Sequence, residues 1–125
     1  MGGDHSCGTG SVYGSFKKYK DNLKVLWIDA HADINTINSS PSGNYHGMPV
    51  SHLLGIDSMN EIEGYEWKIE NLKPENIVYL GIRDLDKGEL KNINDHGIKG
   101  FSPKQIQDEG GIVNTMNKIF RLLEL

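Results

Sequence analysis

The chain has 125 residues, 37% of them hydrophobic and 24% charged, a length and balance that fit one globular domain and exclude a multi-domain machine or a wholly disordered chain. Its 13 Lys and Arg against 17 Asp and Glu leave a net charge of -4 with no long block of either sign, which argues against nucleic acid or an anionic membrane as partner. No apolar run reaches a bilayer span, the N-terminus carries no basic-then-apolar signal, and the single cysteine, Cys7, cannot form an internal disulfide, so a reducing cytoplasm is the expected location.

In chain order, residues 8–20 place Val12, Phe16 and Tyr19 at helical spacing, which predicts a short amphipathic helix with those three on its core face. Residues 23–28 form a compact apolar run, too short for a helix, that ends abruptly in Asp29-Ala-His-Ala-Asp33. That is the pattern of a buried strand with polar groups at its carboxyl end. Residues 34–47 are rich in Asn, Ser, Gly and Pro and read as a long functional loop. A short helix is expected over 48–54, an acidic irregular connection over 61–73, and a second buried strand over 76–83 that again ends in carboxylates, Asp84 and Asp86. A helix over 87–95, a third strand over 97–102 and a helix entrance at Ser102-Pro103 follow. Ile112, Val113, Met116, Ile119, Phe120 and Leu123 stripe a closing helix. Strands alternating with helices predict an α/β fold with a parallel sheet and flanking helices, and ligands of such sheets bind beyond the carboxyl ends of the strands.

The chemistry-bearing residues gather at those ends. Asp29, His31 and Asp33 stand two apart, which points all three to one side if extended geometry persists. With His5 as a second imidazole they make a ligand set for a borderline divalent metal such as Mn, Fe, Co, Ni or Zn, whereas an all-oxygen set suits Mg or Ca. Clustered carboxylates repel one another unless a cation or hydrogen-bond donors compensate, so metal binding is the stronger reading. Asp84-Leu85-Asp86 could supply metal oxygens, anchor a cationic substrate, or simply place acids at a helix N-terminus. His46, on the long loop, could shuttle protons or sit hydrogen-bonded in a turn. His52 and His96 have no cluster around them and are read without a chemical role, and Cys7 is read as a small packed residue.

The segments GGDHS, DAHADIN, SGNYHGMPVSHLLG and GIRDLDKGE resemble, in order and spacing, the arginases of the ureohydrolase family of binuclear manganese hydrolases. The resemblance runs from Gly2 to about Phe101 and is closer to arginases than to agmatinases or formiminoglutamases. It implies that His5 and Asp33 ligate one Mn2+, that His31 ligates a second, and that Asp29 bridges the two. It further implies that Asn35, Ser42 and Asn44 hold the α-carboxylate of L-arginine, that Asp86 holds the α-amino group with Glu89 nearby, and that His46 transfers the proton on the way to L-ornithine and urea. Asp33 and His46 are thus the expected catalytic pair.

The family pattern also contains two further metal aspartates in an S-F-D-x-D segment and a distal glutamate, none of which follows Asp86. The chain is therefore expected to be the central portion of an arginase, one partial domain over residues 1–125 whose sheet is a slice of a larger doubly wound one. His5 is expected to hang from a frayed terminus. Lys87 stands where the family has proline, beside the expected amino-group site. The competing expectations are a non-catalytic remnant that binds metal or docks on a relative, and a ureohydrolase acting on another substrate. A homo-oligomer, a trimer, is what the resemblance implies for assembly.

Overall fold

The structure is a computed structural model that describes residues 2–125. Three parallel strands, β1 (Val25–Ile28), β2 (Ile77–Leu80) and β3 (Lys99–Phe101), lie side by side in sequence order, with Trp27 opposite Tyr79 and Tyr79 opposite Gly100. Five helices, α1 (Cys7–Tyr19), α2 (Pro49–Leu54), α3 (Lys87–His96), α4 (Pro103–Asp108) and α5 (Ile112–Leu122), complete the expected α/β architecture. Among the described residues, no helix is long and apolar enough to cross a membrane.

The strands form because their residues are apolar on both faces, and both faces are used. Val25, Trp27, Ile77 and Tyr79 pack with Tyr13 and Phe16 of α1 and Val50 and Leu53 of α2. Val78, Leu80 and Phe101 turn the other way and pack with Ile119 and Leu123. Local signals set the helix starts. Asp86 and Glu89 make a reciprocal capping box on α3, Ser102 and Gln105 make another on α4, and Pro49 and Pro103 occupy first-turn positions where no amide hydrogen is needed.

Three packing expectations change. In α1 the aromatic buried beside Phe16 is Tyr13, 2% exposed, while Tyr19 at the helix end is 51% exposed. The reason is long-range: the Tyr13 hydroxyl accepts hydrogen bonds from the backbone amides of Ile69 and Glu70. The closing stripe lies on α5 and its C-cap, separated from α4 by Gly110 and Gly111, and of its residues only Ile119 and Leu123 are buried, whereas Ile112, Val113 and Phe120 are exposed. Cys7 is exposed rather than packed, its thiol 3.1 Å from the Asp4 carbonyl. Coverage of the sheet is also uneven, since Ile28 on β1 is 68% exposed.

Candidate metal centre

Pairing continues past the strand ends and brings the two acidic segments together. The Asp29 amide donates to the Leu80 carbonyl, and the amides of Arg83 and Asp84 both donate to the Ala30 carbonyl. The segment 29–35 is then held carbonyl by carbonyl: the Tyr79 hydroxyl donates to Ala32, the Val50 amide to Asp33, the Asn92 side chain to Ile34 and the Ser51 hydroxyl to Asn35. A loop with four consecutive carbonyls, 32–35, bonded in this way is a rigid mount for side chains.

Extended geometry does not persist through it. Asp33 has φ 49°, in the left-handed region that Asp tolerates at a cost of order 1 kcal/mol. The turn swings the Asp33 carboxylate onto His5, so that His5 Nδ1 lies 2.6 Å from Asp33 Oδ2 and 2.9 Å from Asp29 Oδ2. One donor atom from each of His5, Asp29 and Asp33 falls within 4.8 Å of the others, the arrangement a single cation requires. His31 diverges from this group. Its Nδ1 is 3.4 Å from the other oxygen of Asp29, and its Nε2 is 3.2 Å from Asp84 Oδ2. Asp29 thus offers one oxygen toward His5 and the other toward His31.

His5 is not frayed. Its ring stacks on the buried indole of Trp27 at 4.6 Å between centroids, and its carbonyl accepts from the Gly8 amide in the first turn of α1. Gly8 makes this possible, because a Cβ there would meet the Trp27 ring at 2.8 Å. Burial raises the Asp33 carboxyl above its ordinary range, the Asp29 charge adds to that, and His5 and His31 oppose it. Burial acts to lower the His31 imidazole, but the bond to Asp84 and the charges of Asp29, Asp84 and Asp33 outweigh it and hold the group above its ordinary value. Asp33 Oδ2 is buried with no hydrogen-bond donor well aligned on it, and it lies 2.6 Å from His5 Nδ1, so the two atoms face one shared point. A buried carboxylate oxygen that shares one point with an imidazole nitrogen and a second carboxylate fits a divalent cation.

The group opens onto a cleft of about 250 Å³ lined by His5, Asp29, His31, Asp33, Asn35 and, from the loop, Ser42 and His46, together with Asp86 and Glu89. Asn44 does not line it, and Asp84 points to solvent and His31. Asp86 Oδ1 accepts from the Glu89 amide as the helix cap, and its Oδ2 accepts from the Asn35 amide at 2.6 Å. Asn35 also accepts from the Ser39 hydroxyl. Glu89 is buried, with its two carboxylate oxygens taken by the amides of Ala32 and Asp86; burial raises its carboxyl above the usual range. The Ser42 hydroxyl accepts from the Asn44 amide, and the His46 ring lies 3.8 Å from Asp4. His52, assigned no role from the sequence, is fully buried and bonded through Nδ1 to the Tyr45 hydroxyl. Trp27, Gly8 and the Tyr45–His52 pair went unseen because their roles depend on contacts between distant segments. The small residue three beyond His5 was the one local hint.

The fold is thus a parallel α/β sheet with an imidazole–carboxylate group, suited to a divalent cation, at the carboxyl ends of its strands. The arginase family model matches residues 1–124, and the chain belongs to the arginase family. It is 49% identical over 112 residues to an arginase of Glaciozyma antarctica and to one of Bacillus subtilis, alignments that cover 88% of this chain and 32% and 36% of those proteins. The crystal structure of the cold-adapted arginase from Glaciozyma antarctica superposes with a TM-score of 0.86 at 45% identity, over 98% of this chain and 43% of that one. The chain therefore spans about a third of the length of the curated relatives it matches.

Proposed function

We propose that this chain carries the half-site of an arginase that binds manganese and the amino-acid end of L-arginine, for hydrolysis to L-ornithine and urea. The observation that carries the reading is the convergence of His5, Asp29 and the buried Asp33 oxygen on one point of a cleft that Asp86 also lines. His5 and Asp33 would hold one Mn2+, His31 a second, and Asp29 would lie between them. When bound, manganese supplies Lewis-acid stabilisation of the charge that develops as water adds to a guanidinium carbon.

The remaining steps belong to side chains of this chain. Asp86, fixed by the Asn35 amide and the Glu89 amide, presents a carboxylate to the substrate's α-amino group. Asn35 has a second amide hydrogen for the α-carboxylate, and Ser42, whose hydroxyl accepts from the Asn44 amide, would complete that grip from the loop. Lys87, next to Asp86, works against the ammonium and for the carboxylate. His46 is 52% exposed at the cleft, where an imidazole can take a proton from solvent and give it to the departing amine. Agmatine lacks the α-carboxylate, so polar groups arranged for it would be left unpaired, which supplies discrimination.

The test is calorimetric titration of the chain with Mn2+, followed by L-arginine and agmatine as competing ligands of the loaded form. Uptake of Mn2+ with a clear preference for L-arginine is expected. Equal binding of the two compounds would instead favour a broader ureohydrolase. A second reading, a metal-binding module without catalysis, draws on the tight group being one imidazole and two carboxylates, with His31 outside it.

A further inference from the structure

The loop that bears Ser42 and His46 is fastened to the rest of the molecule by the residue between Asn44 and His46. Tyr45 begins a 3-10 turn, Tyr45–Gly47, closed by bonds from the Gly47 amide to the Asn44 carbonyl and from the Met48 amide to the Tyr45 carbonyl. Its phenolic oxygen lies 2.7 Å from the Thr9 hydroxyl of α1 and 2.6 Å from His52 Nδ1 of α2. Thr9 and His52 are both fully buried, so neither has water as an alternative partner. Tyr65 packs against both rings, at 5.1 Å from Tyr45 and 4.7 Å edge-on to His52.

The arrangement has more in it than packing requires. An apolar ring at position 45 would fill the same space, yet here one hydroxyl joins two helices and the loop. Burial, with the Lys68 cation nearby, pushes His52 down to about 4, so its ring is neutral and carries one proton. A phenol can donate to a bare Nδ1 or accept from a protonated one, and the bond is made in either tautomer. The Thr9 end of the clamp lies one helical turn from His5, while the Tyr45 backbone leads directly into His46. His46 itself is weakly held, since its polar neighbour Asp4 is at 3.8 Å, beyond hydrogen-bond distance.

We propose that the Tyr45 hydroxyl, gripped by Thr9 and His52, is a positioning residue that sets the distance between the His46 imidazole and the His5–Asp29–Asp33 group. The proposal rests on the metal reading given above. Tyr45 does not line the cleft and touches no expected ligand, so it acts through His46. Geometry of this kind is worth a great deal in proton transfer, where a donor must sit within hydrogen-bond reach of its target.

The test uses the 125-residue chain and the variants Tyr45→Phe, Thr9→Val and Thr9→Ser. Without metal, amide hydrogen exchange at Gly47 and Met48 is expected to rise up to about tenfold in Tyr45→Phe, the loss of one or two buried hydrogen bonds, while Asp29 in the sheet extension is unchanged. With Mn2+, the affinity is expected to stay that of the parent chain, because the ligands are intact. Paramagnetic relaxation of the His46 ring protons should nevertheless fall several-fold, since it varies as the inverse sixth power of distance. Thr9→Val should reproduce Tyr45→Phe, and Thr9→Ser, which keeps the hydroxyl, should restore the parent values. Unchanged exchange and unchanged His46 relaxation in Tyr45→Phe would overturn the proposal, as would equal behaviour of the two Thr9 variants. If Tyr45→Phe does not fold, the Thr9 pair decides. A parent chain that takes up no Mn2+ counts against the metal centre, a result read from the titration alone, and the metal-free exchange rates then decide the clamp.

Discussion

The side-chain amide of Asn35 donates to Asp86 Oδ2 at 2.6 Å, tying the segment that follows β1 to the N-cap of α3. The bond crosses the floor of the cleft and makes the two residues expected to meet opposite charges of one substrate into a single unit. Gly88 lies directly beneath. A Cβ at that position would come within 2.4 Å of Asn35 Oδ1, 3.0 Å of Ser39 Cβ and 3.2 Å of Asp86 Oδ1.

Gly88→Ala is therefore expected to break the Asn35–Asp86 unit while leaving the metal ligands in place. Overpacking of this kind costs about 1–3 kcal/mol, readable as a lower melting temperature. Mn2+ affinity should be unchanged and the Asn35 side-chain amide resonances should move. A variant with the parent melting temperature and unmoved Asn35 signals would show that the contact relaxes without consequence.

The ligand group gives an ordered series. His5→Asn and Asp33→Asn each remove a member of the tight cluster and should abolish measurable Mn2+ uptake by this chain. His31→Asn, whose parent ring reaches the cluster only at the outer oxygen of Asp29 and otherwise meets Asp84, should weaken the first cation by on the order of tenfold, as loss of a supporting contact does. Titration calorimetry ranks the three. If His31→Asn proved the most damaging, the first cation would belong to the Asp29–His31–Asp84 side.

Urea release from a sample of these 125 residues is expected not to exceed the background of Mn2+ alone. One imidazole and two carboxylates balance a single divalent charge, and a second cation close by would face the first with too little negative charge between them. Colorimetric urea assay with excess Mn2+ and L-arginine checks this. Turnover with two metals per chain would require His31 and Asp84 to complete a second site.

Acid should loosen the fold through His52. Its ordinary value is 6.5 and its folded value is pushed down to about 4, so both states are neutral above the upper figure. As pH falls from 6.5 toward 4 the unfolded chain takes up a proton that the folded chain refuses, and stability falls by up to about 3 kcal/mol. Tyr45, Tyr65 and Lys68 face the ring, and none of them supplies the negative charge that would offset this. Denaturant melts at pH 7 and pH 5 should show a smaller loss in His52→Phe than in the parent. Equal losses would mean that the imidazole protonates inside the fold.

The strands were legible because Val25–Ile28 and Ile77–Leu80 are short and apolar on both faces, a pattern that only a covered parallel sheet satisfies. The position of the ligands was legible for the same reason, since the carboxylates begin where the apolar run stops. Their mutual geometry was not. The positive φ of Asp33 is imposed by the bonds that Val50, Ser51 and Asn92 make to the surrounding carbonyls, all from later segments. Tyr13 and Tyr19 are equally spaced about Phe16, and local periodicity cannot choose between them. The choice is made by the amides of Ile69 and Glu70, more than 50 residues away.

The stacking of His5 on Trp27 gives the molecule an optical property. Trp27 is 5% exposed and touches a ring that would carry the cation, whereas Trp67 is 47% exposed among tyrosines. A buried indole emits toward the blue and a wet one toward the red, so the two lamps separate by colour. Mn2+ is a paramagnetic quencher, and on reaching His5 it would dim the blue lamp and spare the red. Occupancy of the site is then written into the shape of the intrinsic emission band, with no label attached.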